Sequence, residues 1–151
     1  MKIVLCGSMK VKDKILEIGN ILKGMGCDVL YPTECLEGKV KEIASRAHFD
    51  RICDKETDIV LIVNEKAHDK DNYIGPNSFA EIAFGFYFNK DVYLLNDYFD
   101  SYLDELRGWG VKVLKGKLDL LKKWCNWFLH ISCIWLYLLF RILCFDNYRY
   151  W

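Results

Sequence analysis

The chain has 151 residues, which is long enough for one domain with a substantial apolar core. Its 21 basic residues balance its 21 acidic residues, and this neutral charge argues against a nucleic-acid-binding protein. Seven cysteines without a CxxC pair argue against a zinc site or a disulfide framework and favour the cytoplasm. The N-terminus carries no recognisable secretory signal, so we do not expect export.

Apolar runs typical of strands alternate with helical patterns along the chain. The predicted strands are Lys2–Cys6, Asp28–Tyr31, Asp58–Val63, Asp91–Leu95 and Val111–Leu114, and the predicted helices are Val11–Met25, Val40–Lys55, Asn77–Phe88 and Ser101–Gly108. The third strand is apolar throughout, as expected for a strand covered on both faces. This alternation predicts a doubly wound, five-stranded parallel α/β sheet in the flavodoxin-like order 2-1-3-4-5.

A hydrophobic tail, residues 124–151, differs in composition from the domain predicted at residues 1–123. Residues 124–145 read WCNWFLHISCIWLYLLFRILCF, which is about long enough to cross a bilayer. We therefore expect an extra C-terminal hydrophobic helix. Four interpretations stay open: a tail-anchored membrane helix, an interfacial helix, an oligomerisation helix, or an appendage without a role. Membrane association through the tail is thus one expectation for the location of the protein.

Polar and glycine residues follow the predicted strands at one edge of the sheet. Ligands of this topology bind beyond the carboxyl ends of the strands, near the first and third. Glycines let a backbone approach a ligand closely, and serine or asparagine can bond a hydroxyl or a phosphate. Ordinary turns explain several of them equally well. The candidate binding residues are Gly7, Ser8, Met9, Gly75, Asn77, Ser78 and Asn96.

Glu81 is the candidate catalytic residue with the clearest setting. It follows a glycine-containing loop and opens an apolar helix, and we expect it in the first helical turn, where negative charge is favoured. A carboxylate there can act as a nucleophile. The spacing Ser78-x-x-Glu81 also matches a capping box, in which glutamate only returns a hydrogen bond to the cap. Both interpretations stay open.

A second candidate carboxylate, Asp50, lies in the second predicted helix. We expect it near the same crevice, where two carboxylates with different pKa values can serve as nucleophile and acid. The other interpretation is a solvent-facing acid paired with a neighbouring arginine. His48 is interpreted as structural, because no nucleophile adjoins it in the sequence.

Five motifs follow one another along the chain: CGS after the first strand, HFDRI in the second helix, DIVLIVN, YIGPNSFAEIAFG and VYLLN. Taken in this order, they resemble the nucleoside 2-deoxyribosyltransferase family, which includes the deoxynucleoside 5′-monophosphate N-glycosidases. The resemblance covers about residues 1–118 and is most specific at 73–96. It implies cleavage of the N-glycosidic bond of a nucleoside or its 5′-monophosphate, with transfer to another base or to water. It implies neither a cofactor nor a metal.

The resemblance also implies roles for single residues. Glu81 would attack C1′ of the sugar and form a glycosyl-enzyme ester, as in retaining glycosidases. Asp50 would orient the sugar or help to protonate the departing base. The Gly7-Ser8 loop would line the sugar or its 5′ end. Asn96 would reach into a neighbouring subunit's site, which makes the expected active form a homo-oligomer.

Two departures from the family leave its subgroup open. Ser8-Met9 stands where the transferases carry an aromatic residue, and Lys10-Val11-Lys12 stands where the monophosphate hydrolases carry an arginine-bearing glycine loop. Two alternatives from other classes accompany the enzyme hypothesis. One is a TIR-like NAD glycohydrolase, which also uses a glutamate in a crevice. The other is a non-catalytic nucleotide sensor tethered by the tail.

Overall fold

The computed structural model describes residues 1–32 and 39–121. The chain divides into two compact units, Met1–Leu118 and Asp119–Trp151, and the first unit carries the whole sheet. The predicted hydrophobic tail, with its helix and its membrane contact, lies outside the described residues. Within the described part of the chain, no helix combines the length and the apolar character needed to span a bilayer.

Five parallel strands form one sheet in the order β2-β1-β3-β4-β5, which confirms the predicted flavodoxin-like fold. The strands are β1 (Lys2–Gly7), β2 (Asp28–Leu30), β3 (Ile59–Val63), β4 (Asp91–Leu94) and β5 (Lys112–Val113). The connecting helices are α1 (Lys12–Gly24), α2 (Lys39–Cys53), α3 (Pro76–Tyr87) and α4 (Leu103–Gly108). Because β1 pairs with β2 on one side and with β3 on the other, the direction in which successive strands are added to the sheet reverses after β2, so β1 and β3 flank the topological switch point.

The core lies on both faces of the central strands. All five residues of β3 are buried, as its continuous apolar run predicts. Helix α2 buries Ala44, His48 and Ile52, which recur every four residues and so share one helical face. Ile43, which hydropathy alone would turn inward, is 68% exposed. The rotation of α2 about its axis therefore differs from the one that its most apolar residues favour.

Gly85 lets α3 pack directly on the sheet. A Cβ atom at this position would lie 2.9 Å from Val92 Cγ2 and 3.2 Å from Val60 Cγ2, on two stiff β-branched side chains. We expect Gly85→Ala to lower the free energy of unfolding by about 1–3 kcal/mol through overpacking. Urea denaturation measures the change. The matched control is Gly24→Ala at the end of α1, where an added Cβ meets nothing within 4 Å, so we expect no loss of stability there. Effects of the same sign in both variants would contradict the prediction.

Candidate functional site

A cavity of about 380 Å³ opens beyond the carboxyl end of β1, and its walls are the loop after β1, helix α2 and the start of α3. Doubly wound sheets bind their ligands in this place, and the volume suits a small molecule. Seven of the nine predicted site residues meet here. They are Gly7, Ser8, Met9, Gly75, Asn77, Ser78 and Glu81.

The turn out of β1 depends on Gly7. A Cβ atom there would lie 3.0 Å from the backbone oxygen of Val63 and 3.2 Å from Ile15 Cδ1, so a larger residue would push β1 and β3 apart. Ser8 begins the short 3-10 helix Met9–Val11, and its hydroxyl accepts a hydrogen bond from the Lys10 amide at 3.3 Å. The same hydroxyl keeps its own proton for donation to a ligand.

Glu81 lies deeper in α3 than the sequence suggested. The helix begins at Pro76, its N-cap is Gly75, and no side chain caps it. The capping-box interpretation is therefore excluded, and the expected first-turn position is wrong, since Glu81 is the sixth helical residue. The reason is Pro76, whose fixed φ suits the first helical position, so the helix begins two residues before Ser78. The helix dipole is weak at Glu81, because its effect falls off within the first turn.

Glu81 is in contact with two buried side chains from other elements. Its Oε1 lies 3.5 Å from Nε2 of His48, and that nitrogen lies 3.3 Å from Sγ of Cys6. Cys6 comes from β1, His48 from α2 and Glu81 from α3. The side chains of His48 and Glu81 are only 5% and 12% exposed. We call these three residues the Cys6–His48–Glu81 cluster.

Burial sets the protonation of this cluster. Desolvation raises the pKa of Glu81 to about 7, and the hydrogen bond from the Cys6 thiol offsets part of this effect. Desolvation, and then the positive charge of Arg51, lower the pKa of His48 to about 4. Glu81 is therefore ionised only where His48 is already neutral. The 3.5 Å contact between them is therefore not an ion pair near neutral pH, because burial keeps His48 neutral there.

Glu81 is the member of the cluster that can act as a nucleophile near neutral pH. Burial raises the pKa of Cys6 well above its usual value, with a smaller contribution from the charge of Glu81, so Cys6 stays a thiol. Two buried atoms in the cluster, Glu81 Oε2 and His48 Nδ1, have no hydrogen-bond partner among the described residues. Buried polar atoms are normally paired, so these two mark a place that a ligand can occupy.

Two predicted site residues lie outside the cavity walls. Asp50 is exposed, because it is two residues beyond His48 and so points about 200° away from the buried face of α2. Asn96 donates hydrogen bonds to the Asn64 carbonyl at 3.1 Å and to Glu65 Oε1 at 3.2 Å. Fully buried Asn64 in turn accepts from the Asn96 amide and donates to the Asp97 carbonyl. Together these bonds tie the carboxyl ends of β3 and β4.

The sequence prediction missed two members of the cluster, Cys6 and His48. The signal for His48 was present, because Ala44, His48 and Ile52 recur at the four-residue spacing of a buried helical face. Cys6 carries no such signal, since it reads as one more apolar residue of a buried strand. The cavity also has aromatic walls from Phe49 and Tyr73, and the Phe49 ring stacks on Phe84 at 4.4 Å.

Comparisons with known proteins find a solved structure of similar fold. No family model matches the chain, and no curated protein matches its sequence. The solved structure of the CMP N-glycosidase BcmB from Clostridium botulinum is similar, with a TM-score of 0.53 and 17% sequence identity. The match covers 84% of this chain and 99% of that one. At this identity the likeness concerns the fold, and the two chains share the five-stranded flavodoxin-like arrangement.

Proposed function

We propose that this protein cleaves the N-glycosidic bond of a nucleoside or its 5′-monophosphate and transfers the sugar to water or to another base. One observation carries the proposal: Glu81, a buried carboxylate with a pKa near neutrality, lines a cavity at the ligand-binding edge of the sheet. The name of the structural relative, a CMP N-glycosidase, supports a nucleotide as the substrate class. The sequence resemblance points to the same chemistry.

In the proposed reaction, the Glu81 carboxylate attacks C1′ of the sugar. The bond from C1′ to the base nitrogen breaks, its electron pair leaves with the base, and the base takes up a proton. Water or a second base then attacks C1′, the ester bond breaks, and the carboxylate is restored. Two displacements at one carbon give net retention. Asp50 is the proton donor that the resemblance implies, but its exposed position outside the cavity gives this role no support.

The cavity walls supply groups for the two ends of such a substrate. Phe49 and Tyr73 present aromatic rings on which a flat base can stack. Lys41 and Ser8 bring a positive charge and a hydroxyl, which suit a 5′-phosphate. These assignments, like the homo-oligomer that the resemblance implies, are part of the proposal.

Product chromatography tests the proposal. The full chain is incubated with deoxynucleosides, ribonucleosides, their 5′-monophosphates including CMP, and NAD, each with and without an acceptor base. We expect free base from at least one nucleoside or monophosphate. Cleavage of NAD alone would favour the TIR-like alternative. Binding of a nucleotide by calorimetry without release of base would favour the sensor, and either result would contradict the proposal.

A further inference from the structure

We propose that Cys6, His48 and Glu81 form a binding site for Zn²⁺ or a similar thiophilic divalent cation, and that the bound cation prevents Glu81 from acting on a sugar. The site itself needs no assumption about the activity of the protein. Only the inhibitory consequence rests on the proposed function.

The spacing of the three side chains fits a tetrahedral cation. The distance from Cys6 Sγ to His48 Nε2 is 3.3 Å, that from His48 Nε2 to Glu81 Oε1 is 3.5 Å, and all three donor atoms lie within 4.8 Å of one another. Zinc bonds of about 2.0 Å to nitrogen or oxygen and about 2.3 Å to sulfur place tetrahedral ligand pairs roughly 3.3–3.6 Å apart. Two of the three ligand pairs thus already have the spacing that a tetrahedral cation requires.

The chemistry of the cluster also suits zinc. Thiolate, imidazole and carboxylate are its usual protein ligands, and three of them leave a fourth position for water. Because His48 and Glu81 line the cavity, this fourth position can face it. The Glu81 Oε2 and His48 Nδ1 atoms have no partner in the described part of the chain. A cation bound to Nε2 gives the unpaired Glu81 Oε2 a possible contact, while the His48 proton stays on Nδ1, which the cation does not reach.

The charges balance when the cation binds. Cys6 releases its thiol proton to solvent, and Glu81 releases its carboxyl proton where it is protonated. The two resulting negative charges offset the two positive charges of the metal. The absence of a CxxC pair from the sequence does not count against this site, because its ligands come from three separate elements. Cys6 and His48 alone are 42 residues apart.

Inhibition follows because metal binding and attack on the sugar would both use the Glu81 carboxylate. A Glu81 oxygen bonded to the cation no longer offers its lone pair to C1′. A sugar placed for attack and a cation on the cluster therefore exclude each other. We expect Zn²⁺ to inhibit base release, and a bound nucleotide to weaken Zn²⁺ binding.

A metal titration tests the site without any substrate. The full chain is freed of metal with a chelator and desalted, then titrated with Co²⁺ as an optical probe, and with Zn²⁺ in competition with a chromophoric chelator. We expect a thiolate-to-cobalt charge-transfer band that is lost in Cys6→Ser. Zn²⁺ binding should weaken by more than about 100-fold in Cys6→Ser and in Glu81→Gln, since even outer-shell partners are worth 10–100-fold. The control Cys53→Ser, a half-buried cysteine outside the cluster, should keep both signals.

An unchanged band and unchanged affinity in Cys6→Ser would overturn the proposed site. Circular dichroism checks that this variant folds, and Glu81→Gln gives an independent result if it does not. The failure of this inference can be told from that of the proposed function. Zn²⁺ binding without base release from any substrate would support the metal site and contradict the proposed enzymatic activity. Base release that persists with the cluster saturated by Zn²⁺ would remove the inhibitory role.

Discussion

If the proposed function holds, we expect replacement of Glu81 by glutamine to lower the rate of base release by at least about 1,000-fold, because an amide cannot form the proposed glycosyl ester. Glutamine keeps the size of the side chain and its place between Cys6 and His48, so the wall of the cavity persists. The rate is measured by product chromatography on whichever substrate the unsubstituted protein cleaves.

The matched control is Glu105→Gln, which makes the same change at an exposed glutamate of α4, away from the cavity. This control should retain the original rate. Base release by Glu81→Gln within about tenfold of that rate would exclude the nucleophile, since the effect of such a loss is far larger. Circular dichroism of both variants separates loss of the nucleophile from loss of the fold.

We expect base release by the unsubstituted protein to fall about tenfold for each pH unit below pH 7 and to level off above it. The nucleophile must be ionised, and burial raises the pKa of Glu81 to about 7. The measurement is kcat/KM against pH in buffers that contain a chelator, so that cation binding does not contribute. A midpoint near the ordinary glutamate value of 4.5 would contradict the expected environment of Glu81.

The pH dependence of the free energy of unfolding tests the pKa of Glu81 independently. Because the folded protein holds the Glu81 proton up to about pH 7 and the unfolded chain releases it near 4.5, the Glu81 contribution to stability falls as the pH rises between these values. Glu81→Gln removes this loss. The variant should therefore gain stability over the unsubstituted protein across this window, up to about 3 kcal/mol above pH 7. Urea denaturation at several pH values measures the gain, and an equal difference at pH 4 and pH 8 would contradict it.

His48 acts on stability in the opposite direction. Its pKa is lowered to about 4, so the unfolded chain binds its proton first and stability rises with pH from about 4 to 6.5. In the unsubstituted protein the two slopes oppose each other between pH 4.5 and 6.5. In Glu81→Gln nothing cancels the His48 contribution, so the stability of this variant should rise with pH over this range in the same denaturation series.

The architecture could be predicted because it depends on patterns that are local in the chain. The apolar run of β3 reports burial on both faces, and helical spacing separates the strands. The strand order follows from the handedness and shortness of the connections. The position of the cavity then follows from the topology, and seven of the nine predicted residues meet there.

The partners of Glu81 could not be predicted in the same way, because they depend on how each helix is rotated about its axis. A rotation that turned Ile43 inward would have left His48 less buried. Packing of α2 beside α3 instead buries Ala44, His48 and Ile52 and leaves Asp50 in solvent. That choice follows from shape complementarity between distant elements, which apolar periodicity along one helix does not encode.

Periodicity and connection rules were thus enough to predict the α/β class, the strand order and the edge of the sheet where the cavity lies. Glu81 became a candidate from its place after the glycine-containing loop and from the family resemblance. What surrounds that carboxylate depends instead on contacts between distant elements. These contacts leave Asp50 and Asn96 outside the cavity walls and bring a buried thiol and imidazole against Glu81. Desolvation by side chains remote in sequence accounts for the difference, because it raises the pKa of Glu81 toward neutrality only when β1, α2 and α3 meet.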